Sequence, residues 1–290
     1  MNIINVAVDV LRELLARKFI LAAFVFIAFG MLVLTLALDL DVVDGGISAV
    51  KVLGLGGELD KGAGFSASDA LAIVLKPLTY MFFYMSLAAG IVATSDIAAK
   101  MLSPGRVELY LSLPVRRVEL VVGTYVGVLF IATVATTFTV GGVSLILFFK
   151  LETLSWAPIA GAAAAVLGFA AVYALMLLMT CWVRSGALAA ASGMMVFIMS
   201  AVTSNRETFL SLFSGWFADV LGVLIAPLPR LHTLAKLGAN LQQVNSSKVE
   251  AAKEALTFVQ AEWMSAVFGC VLFAAACVAA ASYVVNSKDY

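Results

Sequence analysis

From Leu120 to Phe149 the chain carries no charged residue. An α-helix rises about 1.5 Å per residue, so roughly 20 apolar residues suffice to cross the hydrocarbon of a bilayer. A helix on a water-soluble core would show a polar face within that length, and this run shows none. Five other stretches are predicted to cross, which makes six spans: 19–38, 73–95, 120–149, 157–183, 187–204 and 263–285. The third is longer than the bilayer requires and must tilt or extend into the cytoplasm. The fifth is short and spans only with help from its flanks. Trp156, Trp182 and Trp263 stand at predicted span ends, where amphipathic rings favour the headgroup level. Of the 290 residues 63% are hydrophobic and 12% charged, against about 25% charged in soluble domains. Net charge is zero, so nothing in the balance points to nucleic acid.

These features predict one all-α integral membrane domain over residues 1–290. Residues 3–18 form an amphipathic helix, with Asn5, Asp9, Arg12, Glu13 and Arg17 opposite Ile4, Val8, Leu11 and Leu15. Such a helix lies in the membrane interface; a signal-peptide n-region is the competing reading. Arg12, Arg17 and Lys18 precede the first span, Lys100, Arg106, Arg116 and Arg117 separate the second and third, and Arg184 joins the fourth and fifth. Loop 39–72 is instead acidic, with Asp39, Asp41, Asp44, Glu58, Asp60 and Asp69 against Lys51 and Lys61. The positive-inside rule therefore puts both termini in the cytoplasm.

The segment 205–262 is expected on the outer side. Residues 209–228 are apolar enough for a seventh span, but Asp219 near the centre would cost about 2.5–3.5 kcal/mol there. Gly215, Gly222, Pro227 and Pro229 also interrupt it, and a re-entrant helical hairpin suits these residues better. Ser247 and Glu250 form a capping box that opens a helix leading into the last span.

Between the second and third spans, Pro104 and Gly105 stop one helix, and Val107–Leu113 reads as a short helix ended by Pro114. Such a helix can transmit force from a soluble partner; the plainer reading is a basic surface loop that fixes topology. The stretch GRVELYLSLPVRRVELVVG, residues 105–123, resembles the GTxELLLSxPVSRxEIVLGK motif of type-2 ABC exporter permeases. It is most similar to their copper-enzyme-maturation group. The resemblance implies an N-terminal elbow helix over 1–18, six spans, and an outer re-entrant segment over 205–262. It also implies that residues 96–117 form the coupling loop that docks into a cytoplasmic ATPase.

Gly105, Glu108, Leu111, Pro114, Arg117 and Gly123 occupy matching motif positions. Arg106 stands where Thr is usual, and Arg116 where Ser is common. The glutamates often found before the Gly-Thr pair are absent, and Asp96 lies farther upstream. The resemblance implies two copies of a separate ATPase, which would hold ATP and Mg, around a homodimer of this chain in a bacterial inner membrane. In related exporters the second and fifth spans of two subunits face each other around the translocation path. Tyr80, Phe83, Tyr84, Ala189 and Gly193 are the candidates here for that path or dimer face, with packing inside one subunit or against lipid as the alternative.

No GxxxxGK[ST] occurs, so glycine-rich loop 39–72 reads as a flexible external loop rather than a phosphate cradle, and the chain is not expected to be an enzyme. His232 is the only histidine and reads as a surface or helix-end residue. Cys181, Cys270 and Cys277 lack CxxC spacing and read as packing residues, so no metal site is expected. Met176, Met179, Met194, Met195 and Met199 could pass a soft cation such as Cu(I), but packing is the better account. The spans hold almost no ionisable residue, which disfavours an ion-coupled carrier and favours an apolar or amphipathic cargo moved by ATP. A non-transporting anchor that transmits ATPase force to an envelope partner is the alternative function.

Overall fold

The computed structural model describes residues 3–16, 18–43, 46–52, 67–101, 116–151, 157–204, 216, 220, 222, 228–243 and 249–287. Helices α1 (Ile3–Ala16) and α2 (Lys18–Ala37) lead into strands β1 (Leu38–Val43) and β2 (Gly46–Val52). Six further helices follow: α3 (Ala67–Met101), α4 (Arg117–Leu151), α5 (Ala157–Val183), α6 (Gly186–Ser204), α7 (Leu231–Gln243) and α8 (Val249–Ser287).

Among the described residues, four helical segments are long and apolar enough to cross a membrane: Thr79–Met101, Arg117–Ile146, Pro158–Val183 and Glu262–Ser287. They lie on the expected second, third, fourth and sixth spans. The other two expected spans are also helical, as α2 and as α6, whose shorter apolar part is Gly186–Ser200. The helix expected to lead into the last span is continuous with it, because α8 runs unbroken from Val249.

The embedded part is helical, but part of the expected loop 39–72 is not loose. β1 and β2 pair antiparallel from Leu38↔Val52 to Val43↔Gly46, with an irregularity between Asp41 and Val42. Asp39 is the backbone partner of Lys51 in that register.

Helix α5 is the centre of the bundle and packs against α3, α4, α6, α7 and α8. Small residues make this possible, because they let neighbours approach its backbone. The Phe83 ring and a Leu231 methyl cover Gly168, and Gly238 of α7 meets Gly161 backbone to backbone. Tyr173, Met176, Leu87, Ile91, Leu231 and Leu234 are among the fully buried side chains around it.

Helix α1 packs on α4. Val6 and the Ile3 carbonyl sit on Gly123, while Val10 and the Ala7 carbonyl sit on Gly127. One turn of α1 thus matches one turn of α4, and the two run side by side in the same direction. Val6, Ala7, Val10 and Leu14 are buried by this contact, whereas Ile4, Val8 and Leu15 are exposed. The stripe read from the sequence is therefore the outward one, and a second apolar stripe faces the protein.

Candidate coupling face and intramembrane aromatic contact

Of the candidate coupling residues, Gly105, Arg106, Glu108, Leu111 and Pro114 lie outside the described residues. Asp96, Arg116 and Arg117 lie within them, on the two helices that flank the loop. On the α3 side, Met101 is buried and its sulfur accepts a hydrogen bond from the Thr124 hydroxyl of α4 at 3.0 Å. The same hydroxyl also donates to the Leu120 carbonyl at 2.7 Å.

Asp96 is exposed and abuts the turn between α5 and α6. A Cβ placed on Gly186 would collide with its carboxylate. Arg184 holds that turn in the left-handed region at φ 57, the one non-glycine residue there with positive φ among those described. Its N–H donates to the Thr180 carbonyl at 2.7 Å, which closes the last turn of α5.

On the α4 side, Arg116 caps the helix. Its carbonyl accepts from the Glu119 N–H at 2.9 Å, and its own N–H donates to the Glu119 carboxylate at 3.4 Å. This is the reciprocal half of a capping box, and Glu119 also favours the positive end of the helix. Arg117 reaches across and donates from Nη1 to the Val285 carbonyl at 3.4 Å, in the last turns of α8. A cation there meets carbonyls that lack helical partners. The ends of α3, α4 and α8 and the α5–α6 turn therefore meet at one basic end, around the two roots of loop 102–115.

The weaker candidates fall deeper. Phe83 and Ala189 are buried, and Gly193 sits against the Met176 sulfur and Ile91. Contacts inside one chain account for all three. Met176 is buried while Met194 and Met195 are exposed, so the methionines do not converge on one point. Cys181, Cys270 and Cys277 are buried and form no disulfide.

Tyr80 and Tyr84 are one turn apart on α3 and share a face. His232, the second residue of α7, lies against both. Its ring stacks on Tyr84 at 6.2 Å between centroids and lies tilted against Tyr80 at 6.3 Å. Its Nδ1 shares a hydrogen bond with the Tyr84 hydroxyl. Phe83 and Phe197 meet the Tyr84 ring edge-on at 5.4 and 5.6 Å. His232 is thus a helix-end residue as expected, but its ring is engaged rather than on the surface. No local signal in the sequence joins it to a tyrosine 148 positions away.

A family model described as ABC-2 family transporter protein matches residues 68–232. No curated protein matches the chain. The matched segment is more than half of the chain, from the start of α3 to His232, and it contains both roots of the basic loop. The chain belongs to that family. It is a multi-pass membrane permease subunit of an ABC transporter, not itself the catalytic component, and it pairs with an ABC ATPase subunit.

Proposed function

Membership in the ABC-2 transporter family is the premise from which we propose that this chain is the permease of an ATP-driven exporter. It works as a homodimer with two ATPase copies, which bind ATP and Mg, and it moves an apolar or amphipathic cargo across a bacterial inner membrane. The spans number six, with both termini and the basic end in the cytoplasm. Residues 205–262 re-enter from the outside.

The observation that carries this reading is the way the basic end is tied together. Met101 and Arg116 are the described residues that flank 102–115. Around those roots, Thr124, the Asp96–Gly186 contact and the Arg117–Val285 bond join α3, α4, the α5–α6 turn and α8. A force applied to that loop by an ATPase reaches all of these elements together.

The elbow reading of α1 follows from lengths. The spanning part of α4, Arg117–Ile146, has 30 residues, or about 45 Å of helix, against a hydrocarbon core of about 30 Å. The excess puts Gly123 and Gly127 at the cytoplasmic interface, and α1 packs there. Its outward Ile4, Val8 and Leu15 face acyl chains while Asp9 and Arg12 face headgroups.

Co-purification in detergent tests the assembly: an intact complex lacking any nucleotide-binding subunit refutes it. Glu108→Lys is expected to abolish stimulation of the ATPase by the permease while leaving the protein inserted. Stimulation that survives the change places the coupling surface elsewhere. ATP hydrolysis coupled to an envelope partner, without cargo movement into or out of proteoliposomes, supports the anchor function instead.

A further inference from the structure

Helix α7 begins well inside the bundle. The Cys270 thiol contacts the backbone of Arg230, just before α7. Cys270 lies eight residues along α8 from Glu262, the outer limit of the apolar segment, which is about 12 Å of helix. The Arg230 side chain reaches back along that distance to pair with Glu262 at 3.7 Å. The entry to α7 is also held by α6, where the Thr203 hydroxyl donates to the Pro229 carbonyl at 3.4 Å.

The contacts of α7 with α5 and with α3 differ in kind. Towards α5, Gly238 meets Gly161 and Leu231 lies on Gly168, an apolar contact through small residues. Towards α3, the His232 ring lies on Tyr80 and Tyr84 and is bonded to the Tyr84 hydroxyl. A hydrogen bond away from water is strong and directional, and breaking it leaves both groups unsatisfied.

Helix α3 is suited to carry motion to that point. Tyr84 and Asp96 are twelve residues apart on one helix, about 18 Å. The only proline inside the helix is Pro77. It removes one helical hydrogen bond on the far side of Tyr80, so bending concentrates there. The segment from Thr79 to Met101 is therefore the stiff part, with the basic loop at one end and the His232 contact near the other.

We infer that the Tyr84–His232 contact is a latch that makes α7 ride on α3, so that displacement of the Asp96 end moves α7 in the opposite half of the membrane. His232 is here a positioning residue. The inference rests on the proposed function, because it takes the basic end as the place where the ATPase acts.

Two spin-label distances in the reconstituted permease–ATPase complex test it, in a background with Cys181, Cys270 and Cys277 replaced by Ala. One pair, at Lys100 and Val183, reads the basic end; the other, at Lys236 and Ile159, reads α7 against α5. In the cysteine-free parent, which keeps Tyr84 and His232, trapping the ATPase with a nucleotide analogue is expected to shift both distances. Tyr84→Phe and His232→Leu are each expected to leave the first shift intact and to abolish the second. The exchanged pair, Tyr84→His with His232→Tyr, is expected to restore it, which a merely structural loss would not allow. A second shift that persists in both single variants overturns the latch. A first shift without a second in the parent also overturns it while leaving the proposed function standing. If neither pair moves in the parent, the proposed function fails and the latch falls with it.

Discussion

The Arg117 guanidinium at the start of α4 donates to the Val285 carbonyl in the last turns of α8, at 3.4 Å. The two residues are 168 positions apart, and the bond joins the root of the basic loop to the end of the last helix. A cation at a helix C-terminus contributes about 0.3–1 kcal/mol where it is partly exposed. Arg117→Gln is expected to fray the end of α8, seen as faster amide exchange at 284–287, while Arg117→Lys retains part of the protection. Equal exchange in all three proteins would show that the bond does not hold that end.

The Gly123/Gly127 groove predicts a sharp positional contrast on α4. A Cβ at Gly123 would lie 2.6 Å from the Val6 Cβ, and at Gly127 it would lie 2.9 Å from the Ala7 carbonyl. Gly127→Val is expected to cost about 1–3 kcal/mol through overpacking and to release α1, which limited proteolysis near the N-terminus would report. Nothing lies within 4 Å of a Cβ at Gly141. Gly141→Ala is therefore expected to stay within about 0.5 kcal/mol of the parent.

Gly186 and Asp96 predict a non-additive pair. Gly186→Ala drives a methyl into the Asp96 carboxylate and against the Ser95 carbonyl. The substitution is expected to lower the melting temperature in the parent and to do so much less in an Asp96→Ala background. Residues in contact commonly couple by about 0.5–3 kcal/mol. Additive effects in a thermal-melt cycle would mean that the turn relieves the collision by moving away from α3.

The sequence was most legible where one residue type repeats along one helix. The uncharged run from Leu120 to Phe149 demanded a long buried or lipid-facing helix, and α4 is that helix. Arg116 and Glu119, three residues apart, cap each other at its start. The pairing of 38–43 with 46–52 lies in a segment whose glycine abundance reads as a flexible loop, and only the structure shows it. The choice between a dimer face and internal packing for Gly193 and Ala189 was undecidable from spacing. Small residues permit close approach without naming the helix that approaches; within this chain Gly193 meets Met176 of α5 and Ile91 of α3.

By itself, then, the sequence determined that this chain lives in a membrane, where its helices begin, and which loop is basic and helix-flanked. Those properties follow from hydropathy and capping, which act between neighbours in the chain. Only the tertiary structure decided which face of α1 is inward, that Arg117 meets Val285, and that His232 lies between Tyr80 and Tyr84. In lipid every helix is apolar on nearly all sides, so hydrophobicity no longer distinguishes the buried face. Steric fit at glycines and a few directional polar bonds make that choice, and they join residues that have no relation along the chain.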